Sequence, residues 1–165
     1  MSRVVRLVRS AIAPLSRTRT FRRFGPRVMP VAERALRRLT GGRVQVSGLL
    51  VPSLTLHAVG ARTGEPRASE LMYTPDGHGS AIVAGSNFAR GRHPAWTHNL
   101  LEHPDAEITV RGRRYAVVAT RIDTDPAARE DAWETIQRQW PGYRAYERES
   151  GRQVRLFRLR LVREL

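Results

Sequence analysis

From residue 44 onward, apolar positions recur in short runs separated by turn residues. Ser53–Val59, Glu70–Thr74, Ala81–Gly85, Ala106–Arg111, Tyr115–Asp123 and Val154–Val162 are such runs, and each predicts a strand. Pro75-Asp76-Gly77-His78-Gly79 reads as a hairpin connection and Arg111-Gly112-Arg113 as a tighter one. In the last run Leu156, Arg158 and Arg160 share one face and Phe157, Leu159 and Leu161 the other, an alternation that a one-residue bulge would shift. Two segments change to a helical period. His93–Glu102 is short, with Pro94 near its start; Pro126–Trp140 is longer, capped by Asp125 and stopped by Pro141-Gly142. The stripe Ala132, Trp133, Ile136 and Trp140 marks the buried side of the longer helix. Short antiparallel strands joined largely by hairpins, with few helices, predict a small β-barrel with helices packed around it.

Before residue 44 the pattern is helical and basic. Arg3, Arg6 and Arg9 fall on one side of a helix whose other side carries Val4, Val5, Leu7, Val8, Ala11 and Ile12, and Pro14 ends it. Residues 26–40 repeat the arrangement, with Val28, Met29, Ala32, Ala35, Leu36 and Leu39 opposite Arg27, Arg34, Arg37 and Arg38. The chain therefore divides into an arginine-rich amphipathic helical arm, residues 1–42, and a barrel domain, residues 43–165. The net charge of +14 on 165 residues is carried wholly by arginine, and most of the excess lies in the arm, where Glu33 is the one acidic residue. Such an arm suits an anionic surface, a membrane or a nucleic acid. No apolar run approaches the roughly 20 residues that cross a bilayer, so the arm can lie on a membrane but not span it. The expected location is cytoplasmic, peripheral on the inner face of the cell membrane.

Candidate chemistry is narrowed by what is missing. Without cysteine there are no disulfides, thiol nucleophiles or thiolate metal sites. His57, His78, His93, His98 and His103 are scattered without ligand spacing, so no metal site is expected. Redox chemistry would need a borrowed cofactor. Gly60-Ala61-Arg62-Thr63-Gly64-Glu65-Pro66-Arg67 is a tight connection from which two guanidinium groups and a hydroxyl project; arginine forks, joined by turn amides, suit phosphate or carboxylate. Ala84-Gly85-Ser86-Asn87 ends a strand, and His93-Pro94-Ala95-Trp96-Thr97-His98-Asn99-Leu100 opens a helix, whose free amides favour an anion or an electron-rich ring edge.

Taken together, Thr63-Gly64-x-Pro66-Arg67, the strand ending at Ser86-Asn87, the run His93-Pro94-x-Trp96-x-x-Asn99-Leu100 and the element Trp140-Pro141-Gly142-Tyr143-Arg144-Ala145-Tyr146 resemble the deazaflavin-dependent nitroreductase and quinone reductase family. The resemblance runs from about residue 43 to 162. It implies a mainly β split-barrel of the FMN-binding, pyridoxamine-phosphate-oxidase-like kind, and coenzyme F420 as cofactor, with FMN as the alternative. By position, Arg62 and Arg67, with Thr63 and Gly64 in the same turn, would hold the coenzyme's phosphate and acidic tail, with Ser86 and Asn87 nearby. The backbone of Pro94, Ala95 and Trp96 would cradle its ring and Asn99 would brace the turn. Tyr143 and Tyr146 would line the substrate side as catalytic candidates, orienting an acceptor oxygen or relaying a proton. Acceptors implied are quinones, nitroaromatics and activated alkenes, and an oligomer is compatible with the resemblance. The sequence departs from the family pattern at Phe88-Ala89, where many relatives carry a glycine pair, at Arg62, where lysine is common, and at Glu70, where proline is frequent. Two other readings compete: a nucleic-acid-binding basic module, for which the arm supplies little aromatic character beyond Phe21 and Phe24, and a split-barrel that binds FMN or carries a ligand without catalysis.

Overall fold

Leu54, Leu56 and Ala58 are buried while the residues between them are half-exposed, the period of two that a half-buried strand requires. They belong to β1, Ser53–Val59, the first of six antiparallel strands in the computed structural model, which describes residues 52–77 and 79–165. The expectations for the arm, residues 1–42, and for His78 lie outside the described residues. The others are β2 (Pro66–Pro75), β3 (Ser80–Ala84), β4 (Asp105–Val110), β5 (Arg113–Arg121) and β6 (Leu156–Glu164). Neighbours follow the order β1-β2-β3-β6-β5-β4, and β4 pairs back onto β1, so the sheet closes into the expected mainly β barrel.

The turns behave as their residues dictate. Arg111 and Gly112 both take positive φ, 52° and 79°, the left-handed pair a two-residue hairpin needs. The predicted alternation of β6 holds as far as Leu161, where the register slips: Ala116 faces Arg163 but Val117 faces Leu161, leaving Val162 as a bulge. β2 is longer than its apolar run because residues 66–69 are held by backbone pairing to β1 while their side chains face largely outward.

Inside the barrel, Leu54, Leu56, Val83, Ile108, Val117 and Leu159 pack around Phe157. The helix α1, Ala95–Glu102, closes one opening by inserting Trp96 and Leu100, and the Trp96 and Phe157 rings meet with centroids 5.7 Å apart. α1 starts two residues later than its apolar pattern suggests, because Pro94 is extended at its N-cap. Outside, α2 (Pro126–Gln139) lays Ala132, Trp133 and Ile136 over Ile82 of β3 and Leu156 of β6. Asp125 caps it by accepting from the amide of Ala127 at 2.9 Å; Trp140 packs half-buried at its edge. A third helix, α3 (Ala145–Ser150), was not anticipated; it ends at Gly151, whose φ of 66° is a left-handed cap. The interior is filled by side chains, which leaves the outside of the barrel for a ligand.

Candidate active site

Three bridges bring the candidate segments together around α1. The turn from Gly60 to Arg67 is built on its own backbone: the amides of Thr63 and Gly64 reach the carbonyl of Gly60, and that of Gly60 reaches Glu65. Gly60 has no room for a side chain, since a Cβ would stand 2.8 Å from Thr63 Oγ1. The Ala61 amide donates to Asn99 Oδ1 at 3.0 Å, so buried Asn99 fixes the turn to α1. The amides of Ala61, Thr63, Gly64 and Glu65 are already engaged within the turn or by Asn99, which leaves the Arg62 amide and the two guanidinium groups as the turn's free donors. Arg62 and Arg67 are exposed, Arg67 makes only a long 3.4 Å contact with Thr63 Oγ1, and neither pairs with a carboxylate among the described residues. Glu70 is turned aside, accepting from Thr55 Oγ1 at 2.6 Å.

The second bridge joins the end of β3 to the start of α1. A Cβ on Gly85 would lie 2.8 Å from Thr97 Cγ2 and 3.5 Å from Pro94, so glycine here lets the strand end lie against the helix start. Pro94 offers no side-chain acceptor to α1; the Thr97 amide closes on the Pro94 carbonyl at 3.1 Å, and the amides of Ala95, an exposed residue, and Trp96 are left open. Trp96 is buried in the barrel; only its backbone can meet a ligand.

The third bridge is a hydrogen bond of 3.0 Å between Ser86 Oγ and the Tyr143 hydroxyl. Burial, above all, pushes the Tyr143 hydroxyl up to about 12, with the bond to Ser86 opposing and Tyr146 adding to the rise. Tyr143 is thus a protonated donor at any physiological pH. Its ring stands edge-on to Tyr146, centroids 5.1 Å apart, and beside it lies a crevice lined by Met72, Ala84, Ile136 and Trp140.

Residues that sequence reasoning passed over hold this tyrosine end in place. Arg152 donates to the carbonyls of Gly85 (2.8 Å), Ser86 (2.9 Å) and Arg90 (3.0 Å) and to His93 Nδ1 (3.0 Å). Because arginine cannot accept, Nδ1 must carry a lone pair; burial, then Arg155 and Arg152, press His93 below its ordinary pKa, so it is neutral. Glu147 takes Arg129 and Arg144 as ion-pair partners and accepts from the Val154 amide. Arg129 and Arg144 also stand over the Trp133 ring, 5.9 and 5.7 Å from its centroid. Beneath them, buried Asp123 accepts from Arg121 and the Leu156 amide; burial would raise its pKa, but these bonds outweigh that and hold it below the usual value. No local pattern marks Arg152, whose partners are distant in sequence, and Glu147 joins near partners, Arg144 and Val154, to the more distant Arg129.

Between Ser86 and Arg90 the backbone makes one left-handed turn: Asn87, Phe88 and Ala89 have φ of 50°, 52° and 60°. For non-glycine residues this costs roughly 1–2 kcal/mol each. The Asn87 side chain donates to the Arg92 carbonyl at 2.8 Å, and with Arg152 it imposes the turn. The Phe88 side chain is 72% exposed.

The sequence model of the F420H(2)-dependent quinone reductase family matches residues 29–160. The chain belongs to this family. It is 38% identical over 104 residues, 62% of this chain and 68% of the other, to the F420H(2)-dependent quinone reductase Rv1261c of Mycobacterium tuberculosis, and to the same extent to its counterpart MT1299 from another strain of that species. Among solved structures, the F420-H2 dependent reductase FDR-A superposes with a TM-score of 0.58 at 21% identity, over 66% of this chain and 93% of that one. A structure described as a domain-swapped dimer gives 0.59 at 21% identity, over 78% and 96%. This F420H2-dependent reductase is therefore an oxidoreductase whose cofactor is coenzyme F420, and FMN gives way as the alternative. The reductase's residues fit that group. Two exposed arginines without acid partners among the described residues, in the turn that Asn99 ties to α1, and amides at the start of α1 would suit the coenzyme's anionic groups.

Proposed function

We propose that the reductase transfers a hydride from reduced F420 to a quinone, along a row that begins at the 60–67 turn and ends at Tyr143. When bound, the coenzyme supplies a two-electron hydride donor; the chain supplies position and protons. In this reading Arg62 and Arg67 hold the coenzyme's anionic end, with Thr63 and Gly64 shaping the turn and Asn99 tying it to α1. The backbone of Pro94, Ala95 and Trp96 supports the ring, Ser86 and Asn87 flank it, and Tyr143 and Tyr146 face the acceptor. The Tyr143 hydroxyl donates to the acceptor oxygen that gains negative charge, and Ser86, hydrogen-bonded to it, passes on a replacement proton. The observation that carries the reading is the Ser86–Tyr143 hydrogen bond, which ties a protonated hydroxyl to the strand end that packs against the start of α1.

Quinone is favoured over nitroaromatic or alkene acceptors because the relatives are named quinone reductases. No helix among the described residues is long and apolar enough to cross a membrane; the basic residues 3–38 would instead place the enzyme against an anionic bilayer, where lipid-soluble quinones reside. The experiment is steady-state oxidation of reduced F420 by menadione, followed by the absorbance of the oxidised coenzyme. Turnover dependent on the protein is expected, and tight coenzyme binding with no turnover of any quinone would sink the assignment.

A further inference from the structure

Phe88 is the most exposed large apolar side chain among the described residues, and it stands on backbone that resists its own geometry. Asn87, Phe88 and Ala89 form a left-handed turn without glycine, a conformation that persists only where surrounding contacts impose it. Those contacts are Arg152, gripping the carbonyls before and after the turn, and Asn87, bonded to Arg92. An aromatic ring pinned in this way gains nothing for the fold, because it packs on little of it. The turn's place in the site indicates its use. Ser86, two residues earlier, bonds Tyr143; the turn packs against α3, whose first turn carries Tyr146; and the arginines belong to a separate turn, the one that Asn99 ties to α1.

We infer that Phe88 is a specificity-determining residue on the acceptor side, a rigidly presented ring that stacks on the flat conjugated face of a quinone held near Tyr143. The inference rests on the proposed function and adds to it the class of acceptor preferred: fused-ring quinones over single-ring ones, since a larger π-face covers more of the Phe88 ring.

The test compares menadione, a bicyclic quinone, with a monocyclic benzoquinone in wild type, Phe88→Ala, Phe88→Gly and Phe88→Trp, alongside F420 affinity by fluorescence titration. Removing the ring should raise KM for menadione about three- to ten-fold, the range that aromatic pairing supports, with kcat and F420 affinity unchanged, because the contact is made equally in ground and transition states. The benzoquinone KM should move less, and Phe88→Trp should restore the menadione value. Phe88→Gly suits a φ of 52°, so its thermal stability should equal or exceed that of wild type, separating lost stacking from lost folding. Unchanged menadione KM in both truncations, or an equal change for the two quinones, overturns the inference and leaves the proposed function standing. A matching loss of F420 affinity overturns it too, by moving Phe88 to the coenzyme. Wild type inactive with every quinone takes down the function first and this inference with it.

Discussion

The arginine turn and the tyrosine cluster are built on opposite principles. The arginine turn is a local object: consecutive residues satisfy one another's backbone, one bond to Asn99 fixes it, and its charged groups point into water. The tyrosine end is a long-range object. Tyr143 is placed by Ser86, distant in sequence, and the segments bearing the two residues are held by Arg152, Glu147, Arg129 and Arg144. Exposure suits the first to long-range attraction of an anionic coenzyme and makes its side chains dispensable for folding. Burial suits the second to hold a hydroxyl protonated and water away, and makes it fragile.

The sharpest way to break this contrast is to cut the network at the tyrosine end. Glu147→Ala leaves Arg129, with only 14% of its side chain exposed, without its acid partner, and should cost about 3 kcal/mol of stability. Denaturant unfolding measures it, and turnover should fall in step. Next in size, Tyr143→Phe should lower kcat about 100-fold, the smaller end of what a positioned proton donor contributes, while F420 affinity and folding hold. The pH profile refines the point. With the folded hydroxyl raised to about 12, kcat should show no fall attributable to tyrosine ionisation near pH 10. The accompanying stability is complete below pH 10, the unfolded value, and is lost as pH rises from there through about 12. A kcat break near pH 10 in the wild type that vanishes in Tyr143→Phe would contradict the assigned burial.

Much of the barrel was legible because its strands obey a period of two and its turns carry the residues their backbone requires; the run Ser53–Val59 matches β1 end to end. Glu70–Thr74 is shorter than β2 because the remaining residues are held by pairing, which leaves no trace in side-chain pattern. α3 escaped because Ala145–Ser150 is a single short turn-and-a-half stabilised by Glu147's contacts elsewhere. In the candidate site, the arginine turn and the start of α1 were readable from composition and order, since their geometry is local. Arg152 was not, because its acceptors lie about sixty residues away in Gly85, Ser86 and Arg90, and a period-based reading has no access to that distance. Nor was the use of most of the turn's amides by the turn itself, which shifts its free donors towards the guanidinium groups.

That shift makes the central claim directly measurable. Fluorescence titration of F420 with wild type and with the double variant Arg62→Ala, Arg67→Ala should show affinity falling at least about ten-fold, the loss expected when charge-assisted bonds to an anion are removed. Unfolding should be unchanged, as both side chains are exposed. Affinity equal to wild type in the double variant would contradict the placement of the coenzyme.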